Sequence, residues 1–252
     1  MDTDAIETVF VAGASGDTGR HLLRLLDRRV PTVRALTRSA ERTPELRSLG
    51  ADEVVVDDLL DPDEDDLAGT LADVDAVLSA VGSDATDVLG SGPYVDGEGT
   101  VALLEAAVDA GVAAFVMESA VGVGDEPASR LATAFDIAIR PLQAAKATAE
   151  AAIRDAGVRH TILRPGVLTN GPRTDTTSVA EPGAKLWGAV SRADVARLMA
   201  AAPVTDAAAD RTFEVVSEPA FPDRSLSVDW RLPGRDDADV PVRTVARWPY
   251  SV

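Results

Sequence analysis

Gly13-Ala14-Ser15-Gly16-Asp17-Thr18-Gly19 carries the most definite chemistry in the chain. Its glycines recur at Gly-x-x-Gly-x-x-Gly spacing, directly after an apolar run at residues 8–12 and directly before a helical pattern. In that setting Gly13 permits a tight turn, Gly16 lets backbone approach a diphosphate, and Gly19 lets the helix pack on a sheet. The helix N-terminus then turns unpaired N–H groups and the positive end of its dipole toward the phosphates. Ala14, Ser15, Asp17 and Thr18 complete the backbone of this cradle, and a bound dinucleotide is expected. The end of the next apolar run decides which one. An Asp or Glu there would accept from a ribose 2′-hydroxyl, whereas Leu36-Thr37-Arg38-Ser39 offers Arg38, suited to a 2′-phosphate. A guanidinium grips phosphate with two parallel bonds, and Ser39 and Arg42 could assist. NADP(H) is therefore expected over NAD(H); the alternative is that Arg38 only offsets neighbouring acids.

Two further segments belong to the same site. Asp57-Asp58-Leu59 follows the third apolar run, where an adenine would lie, and Asp58 could accept from its amino group. Ser79-Ala80-Val81-Gly82 follows the fourth and is small enough for a ribose and diphosphate to pass. The acids between residues 57 and 66 read as solvated surface, since they lack the glycine and spacing of a calcium loop.

The elements that must hold these residues alternate. Apolar, Val-rich runs at residues 8–12, 32–37, 53–56, 76–80, 113–117, 160–163 and 212–216 read as strands. Helical patterns lie around residues 21–26, 99–110, 142–155 (ended by Gly157) and 194–202. Strands alternating with helices imply βαβ units, and apolar runs without polar alternation imply a sheet covered on both faces. The right-handed crossover rule then favours an α/β, doubly wound (Rossmann) and mostly parallel sheet of about seven strands, with helices on both faces. Residues 1–218 are expected to form this dinucleotide-binding domain. Residues 219–252, rich in proline and without helical periodicity, are expected to be an irregular tail packed on it through Trp230, Trp248 and Tyr250. Asp96 and Asp194 read as helix N-caps or first-turn acids. His21 and His160 read as packing and structural residues.

Composition excludes several classes. With 24 basic residues against 42 acidic ones the net charge is −18, which disfavours nucleic acid and anionic membrane surfaces as partners. There is no cysteine, so disulfides, zinc ribbons and thiol nucleophiles are out, and two histidines make a multi-histidine metal site improbable; no metal is expected. No apolar run reaches the roughly 18 residues of a membrane helix. The acidic N-terminus is the opposite of a signal peptide, so a cytoplasmic protein is expected. Of the acids 29 are Asp, and of the bases only Lys146 and Lys185 are lysines. At molar salt the screening length falls to about 3 Å, removing the self-repulsion of such a charge. The composition therefore reads as halophilic.

Taken in order, these motifs resemble those of the atypical short-chain dehydrogenases/reductases, the NmrA-like or NAD(P)H-binding group. To those above are added Val95-Asp96-Gly97-Glu98-Gly99-Thr100, Phe115-Val116-Met117-Glu118-Ser119, Lys146 with Glu150, Ile162-Leu163-Arg164-Pro165-Gly166 and Ser191-Arg192-Ala193-Asp194-Val195-Ala196. The resemblance covers about residues 6–218. It implies that Lys146 binds the nicotinamide ribose, that Arg164-Pro165-Gly166-Val167 runs past the nicotinamide, and that Ser119 is the first serine of the family's usual pair. The second position of that pair is Ala120 here. Four residues before Lys146, where catalytic members place a Tyr, stands Leu142. A leucine cannot protonate a nascent alkoxide. Tyr94 lies near the site by family topology and is the remaining candidate acid.

These readings imply an NADPH-dependent oxidoreductase passing hydride to a small carbonyl or quinone-like acceptor, with Ser119 and Lys146 polarising it. The alternative is an NADP(H)-binding redox sensor without turnover, and a nucleotide-sugar epimerase or dehydratase ranks behind both. A small-molecule substrate is expected, and a homodimer is left open.

Overall fold

The computed structural model describes residues 6–62, 64–83, 93–123, 130–184, 186, 188–217 and 228–233, with 64–66 and 130–140 described by their backbone alone. Five parallel strands build the first part of the sheet: β1 (Thr8–Ala12), β2 (Thr32–Thr37), β3 (Glu53–Val56), β4 (Ala76–Ser79) and β5 (Ala114–Glu118). They are joined by α1 (Asp17–Leu26), α2 (Thr43–Ser48), α3 (Glu64–Thr70) and α4 (Thr100–Asp109), the last preceded by a π-helical turn at Val95–Gly99. The long α5 (Arg130–Asp155) leads to β6 (Arg159–Pro165), and then come β7 (Val167–Thr169), β8 (Ser178–Ala180), β9 (Ala189–Ser191), α6 (Arg192–Ala201) and β10 (Arg211–Val216).

The main sheet has eight strands in the order β3-β2-β1-β4-β5-β6-β10-β8, all parallel except the edge strand β8. The chain steps outward from β1 to β3, then returns to β4 on the other side of β1. The connections leaving the carboxyl ends of β1 and β4 therefore run to opposite sides, and a crevice opens outside those ends at this switch of direction. Alternate residues of β1 serve opposite faces. Val9 and Val11 pack with α1 and α6, while Phe10 and Ala12 pack with α3, α4 and α5. The expected doubly wound fold is present, with three additions. β7, β8 and β9 are three residues each, too short to show a period; β7 pairs β9 in a separate two-stranded sheet. α2 and α3 are also short, at six and seven residues. α5 begins at Arg130 rather than 142, because the helix continues through Pro141, whose missing amide reads as a break.

Asp194 is a first-turn acid that also ties the C-terminal region together. Its amide donates to Ser191 Oγ at 3.1 Å, capping α6. Its carboxylate accepts from Thr174 N at 2.9 Å, Thr174 Oγ1 at 2.7 Å and Ser217 Oγ at 3.2 Å. Of the expected tail contacts, Trp230 is buried and meets Phe213 edge-on, with ring centroids 5.6 Å apart. Arg231 N donates to Thr205 Oγ1 at 3.0 Å beside it. Trp248 and Tyr250 lie outside the described residues.

Trp230→Ala removes a ring filling the α1/α6 face, and it should destabilise the chain by about 3–5 kcal/mol. Thermal or urea unfolding of the variant checks this; an unchanged midpoint would show that residues 228–233 add nothing to the core.

Candidate functional site

The crevice between β1 and β4 is a cleft of about 430 Å³ lined by Gly13, Ser15, Gly16, Leu36, Thr37, Arg38, Ser39, Arg42, Asp57, Leu59, Ala80, Val81, Gly82 and Val95. Gly13 turns the chain with φ +72°, and a side chain there would lie 2.9 Å from Val81 N. Gly19 lies so near the turn that a side chain would come within 2.6 Å of the Ala14 Cα. These two contacts press the head of α1 against the strand ends. Gly16 N donates to Gly13 O at 3.0 Å, and Gly16 is the N-cap of α1 without any side-chain bond. Among the described residues the amides of Asp17, Thr18 and Gly19 thus have neither intrahelical nor side-chain acceptors, while Arg20 N returns to Gly16 O at 3.0 Å. Ala14 is buried behind the turn, its amide toward Leu36 O at 3.4 Å. Asp17 points to Asn170 and Arg192 instead.

The rim toward β2 is cationic. Arg38 is exposed and forms no ion pair among the described residues. Arg42 Nη1 pairs with Glu45 at 3.0 Å. Asp58 does not line the cleft. Its Oδ1 accepts from Leu60 N at 3.1 Å, holding its own turn, and Asp57 is the carboxylate at the wall.

Beyond the far end of the strands lie two buried charge clusters. Lys146 Nζ is 2.6 Å from Asp96 Oδ1 and donates to Glu118 O at 3.5 Å. Asp96 reaches it because Gly97 lets the π-helical turn lie against Ala145 of α5, where a side chain would come within 2.9 Å of Ala145 Cβ. Its other oxygen accepts from Ser83 N at 2.6 Å and Ser83 Oγ at 2.5 Å. Asp96 is thus a counter-ion as well as a first-turn acid. In the second cluster Ser119 Oγ donates to Glu150 Oε1 at 2.6 Å. Glu150 is fully buried and also accepts from Arg164 Nε at 2.9 Å and Arg154 Nη2 at 2.5 Å.

Ser119 and Arg164 therefore sit at the carboxyl ends of β5 and β6 and Lys146 within α5 beside them, each engaged by a carboxylate and none on the cleft wall. Pro165 is buried in β6, Gly166 packs against Gly188 and Val216, and Val167 is exposed on β7. Tyr94 is half-buried before the π-helical turn, its amide donating to Glu98 Oε2 at 3.1 Å; Val95, not Tyr94, lines the cleft. Leu142 occupies α5 one turn before Lys146.

The group that sequence reasoning passed over is Glu118, named only within a motif at the end of the fifth strand. It is buried, and Thr18 Oγ1, from the first turn of α1, donates to its Oε1 at 3.1 Å. Burial pushes its carboxyl above the ordinary range, opposed by the Lys146 ammonium and the Thr18 bond. The available signal was an acid closing an otherwise apolar strand. Burial, with Arg24 beside it, lowers His21. Among the described residues no cluster of acids and histidines suits a metal ion, and no helix is long and apolar enough to cross a membrane.

Comparison with known proteins adds to this geometry. A model described as NAD(P)H-binding matches residues 13–205. A Bacillus subtilis protein called an uncharacterized sugar epimerase, YhfK, is 30% identical over 208 residues, covering 82% of this chain and 92% of its own. An uncharacterized chloroplastic protein of Arabidopsis thaliana, At2g34460, is 31% identical over 240 residues, covering 88% of this chain and 81% of its own. A solved Bacillus halodurans structure, provisionally named an NAD-dependent epimerase/dehydratase, is 29% identical with a TM-score of 0.71, covering 84% of this chain and 94% of its own.

The raised carboxyl of Glu118 gives stability a definite pH dependence. The folded chain keeps a proton that the unfolded chain loses near pH 4.5. This contribution is full below that pH and is lost as pH rises through the raised value. Glu118→Gln keeps the acceptor for Thr18 and cannot ionise. It should melt above the parent at pH 8, by about 2–4 °C for each kcal/mol relieved, with the gap closing toward pH 4. A pH-independent difference would exclude burial of the charge as its cause.

Proposed function

Because the chain belongs to the NAD(P)H-binding family, whose model spans residues 13–205, we propose that it is an NADPH-dependent oxidoreductase acting on a small carbonyl or quinone-like acceptor. The observation that carries this reading is the crevice at the head of α1: an amide-lined turn that side chains on Gly13 or Gly19 would fill, with the Arg38 guanidinium on its rim. Those features fit the diphosphate and the 2′-phosphate of the coenzyme. Gly13, Ser15 and Gly16 would hold the diphosphate, Arg38 the 2′-phosphate with Arg42 and Ser39 beside it, and Asp57 and Leu59 the adenine end. Ala80, Val81 and Gly82 would flank the ribose. When bound, the coenzyme supplies a hydride.

The remaining residues position and exclude. Asp96 holds the Lys146 ammonium at 2.6 Å, at the side of the site where the nicotinamide ribose is expected. Glu150 holds Ser119 and Arg164 in fixed orientations. Leu142 supplies no proton, so the acceptor is one that can take hydride while its charge is delocalised or quenched by solvent. The same leucine argues against sugar epimerisation, which needs a base to draw a proton from the hydroxyl being oxidised. The charge of −18 supports a salt-rich cytoplasm as the working environment, so molar KCl is the assay medium.

Oxidation of NADPH, followed by its absorbance against a panel of small carbonyls and quinones, is expected to show turnover, with NADH consumed more slowly. Tight NADPH binding with no turnover on any acceptor would favour the sensor reading instead. Arg38→Ala should raise the Kd for NADPH about tenfold or more, the worth of a charge-assisted bond, and leave NADH unchanged. Equal losses for both coenzymes would refute the 2′-phosphate contact.

A further inference from the structure

Arg192 opens α6 with a guanidinium that is only partly engaged. Its Nη1 donates to the neutral Asn170 Oδ1 at 2.7 Å. Its Nε lies 4.0 Å from Asp17 Oδ2, well beyond the roughly 2.7–2.9 Å of a charge-assisted hydrogen bond. The small sheet explains this placement. Thr169 of β7 pairs Ser191 of β9, so Asn170 and Arg192, each one residue past its strand, emerge side by side. Both face the head of α1, where Asn170 Nδ2 donates to the same Asp17 oxygen at 3.4 Å. Two other groups locate the cation. Its charge bears on Glu118, the acceptor of the Thr18 hydroxyl, and on His21, one turn along α1 from Asp17.

Asp17 is the first residue of α1, so its amide heads the helix while its carboxylate would oppose any anion bound there. A guanidinium whose Nη2 has no partner among the described residues thus lies beside the amide cradle, next to the Asp17 carboxylate that a bound diphosphate would compete with. Its side chain is about a quarter exposed, 26%, so it is neither locked in the core nor swinging in solvent.

We propose that Arg192 is a coenzyme-binding residue: with a diphosphate at the head of α1, its guanidinium leaves Asp17 and donates to the diphosphate oxygens, while Asn170 steadies its other edge. This rests on the coenzyme reading of the cleft and adds to it a contact from the C-terminal half of the chain. It gives the small β7–β9 sheet a task, which is to carry a cation to the anion site of an otherwise acidic molecule.

Calorimetric titration of NADPH and NADH, in molar KCl, into the parent chain, Arg192→Ala, Arg192→Lys, Asp17→Asn and the Asp17→Asn/Arg192→Ala double variant tests the assignment. Arg192→Ala should weaken both coenzymes alike by about tenfold or more, as for a charge-assisted bond. Arg192→Lys, which keeps the charge without the fork and preserves the fold if alanine does not, should fall between. Asp17→Asn should bind both more tightly, and the Arg192 loss should persist in that background. Unchanged affinity of Arg192→Ala for coenzymes that the parent binds would overturn the inference alone. So would a loss confined to NADPH, or one that vanishes with Asp17→Asn, since Arg192 would then merely screen that carboxylate. A parent chain that binds neither coenzyme would overturn the cleft reading and this inference together.

Discussion

The uncapped head of α1 is the constraint on which the rest of the structure depends. Two helices, α1 and α6, lie on the same face of the sheet and pack on one another, but their N-termini are finished differently. Ser191 and Asp194 cap α6, and Asp194 also gathers Thr174 and Ser217. Gly16 gives α1 no side-chain acceptor, where Ser, Thr, Asp or Asn would ordinarily satisfy one of the open amides. The first-turn carboxylate of Asp17 answers the helix dipole without filling the turn. That open end is held at the switch point by backbone approaches at Gly13 and Gly19 that admit no side chain. The geometry of the strands, rather than any single side chain, decides where an anion can be received.

The distribution of charge follows from the same need. A chain of net charge −18 repels the anions its cradle is shaped for, unless its few cations are placed with care. Arg38 and Arg42 stand on the rim toward β2, and Arg192 stands on the side of β7 and β9. Away from the cleft, Lys146 and Arg164 are buried in pairs, with Asp96 and Glu150 respectively. Such buried pairs add little net stability compared with apolar residues of the same shape, yet breaking one leaves an uncompensated charge and is severe. They fix the relative positions of β5, β6, α5 and the π-helical turn, all of which converge on the far side of the strand ends.

Much of this was legible in the sequence because it is local. Val-rich runs with both faces covered marked the strands β1 to β6 and β10 along the chain, and the glycine spacing marked the cradle and its place after β1. The three-residue strands β7, β8 and β9 have no periodicity to read, since their pairing depends on partners far along the chain. The same reason hid the roles of Glu118, Glu150 and Arg192. Thr18 and Glu118 are 100 residues apart and Asp17 and Asn170 are 153 apart, and no local pattern encodes those meetings. Asp58 illustrates a finer limit. Which of two adjacent acids faces the cleft depends on the turn after β3, where Asp58 spends its carboxylate on Leu60 N and leaves the wall to Asp57.

The site beyond the cleft constrains the chemistry by what its polar groups are already doing. An ammonium assists a reduction in two ways, by lowering the pKa of a neighbouring phenol or by polarising the acceptor directly. The first is closed here, because Leu142 stands one turn before Lys146 on α5. The second is weakened, because a buried Asp96 2.6 Å away already neutralises the ammonium. Ser119 is similarly spent on Glu150, whose charge is in turn met by Arg164 and Arg154. A hydride delivered to an isolated carbonyl in this setting would leave an alkoxide that meets an ammonium and a hydroxyl already engaged by carboxylates. A hydride delivered to a conjugated acceptor leaves a charge spread over several atoms, which solvent can protonate afterwards. Thus the groups that make this end of the molecule rigid also favour acceptors that carry their own means of stabilising the product.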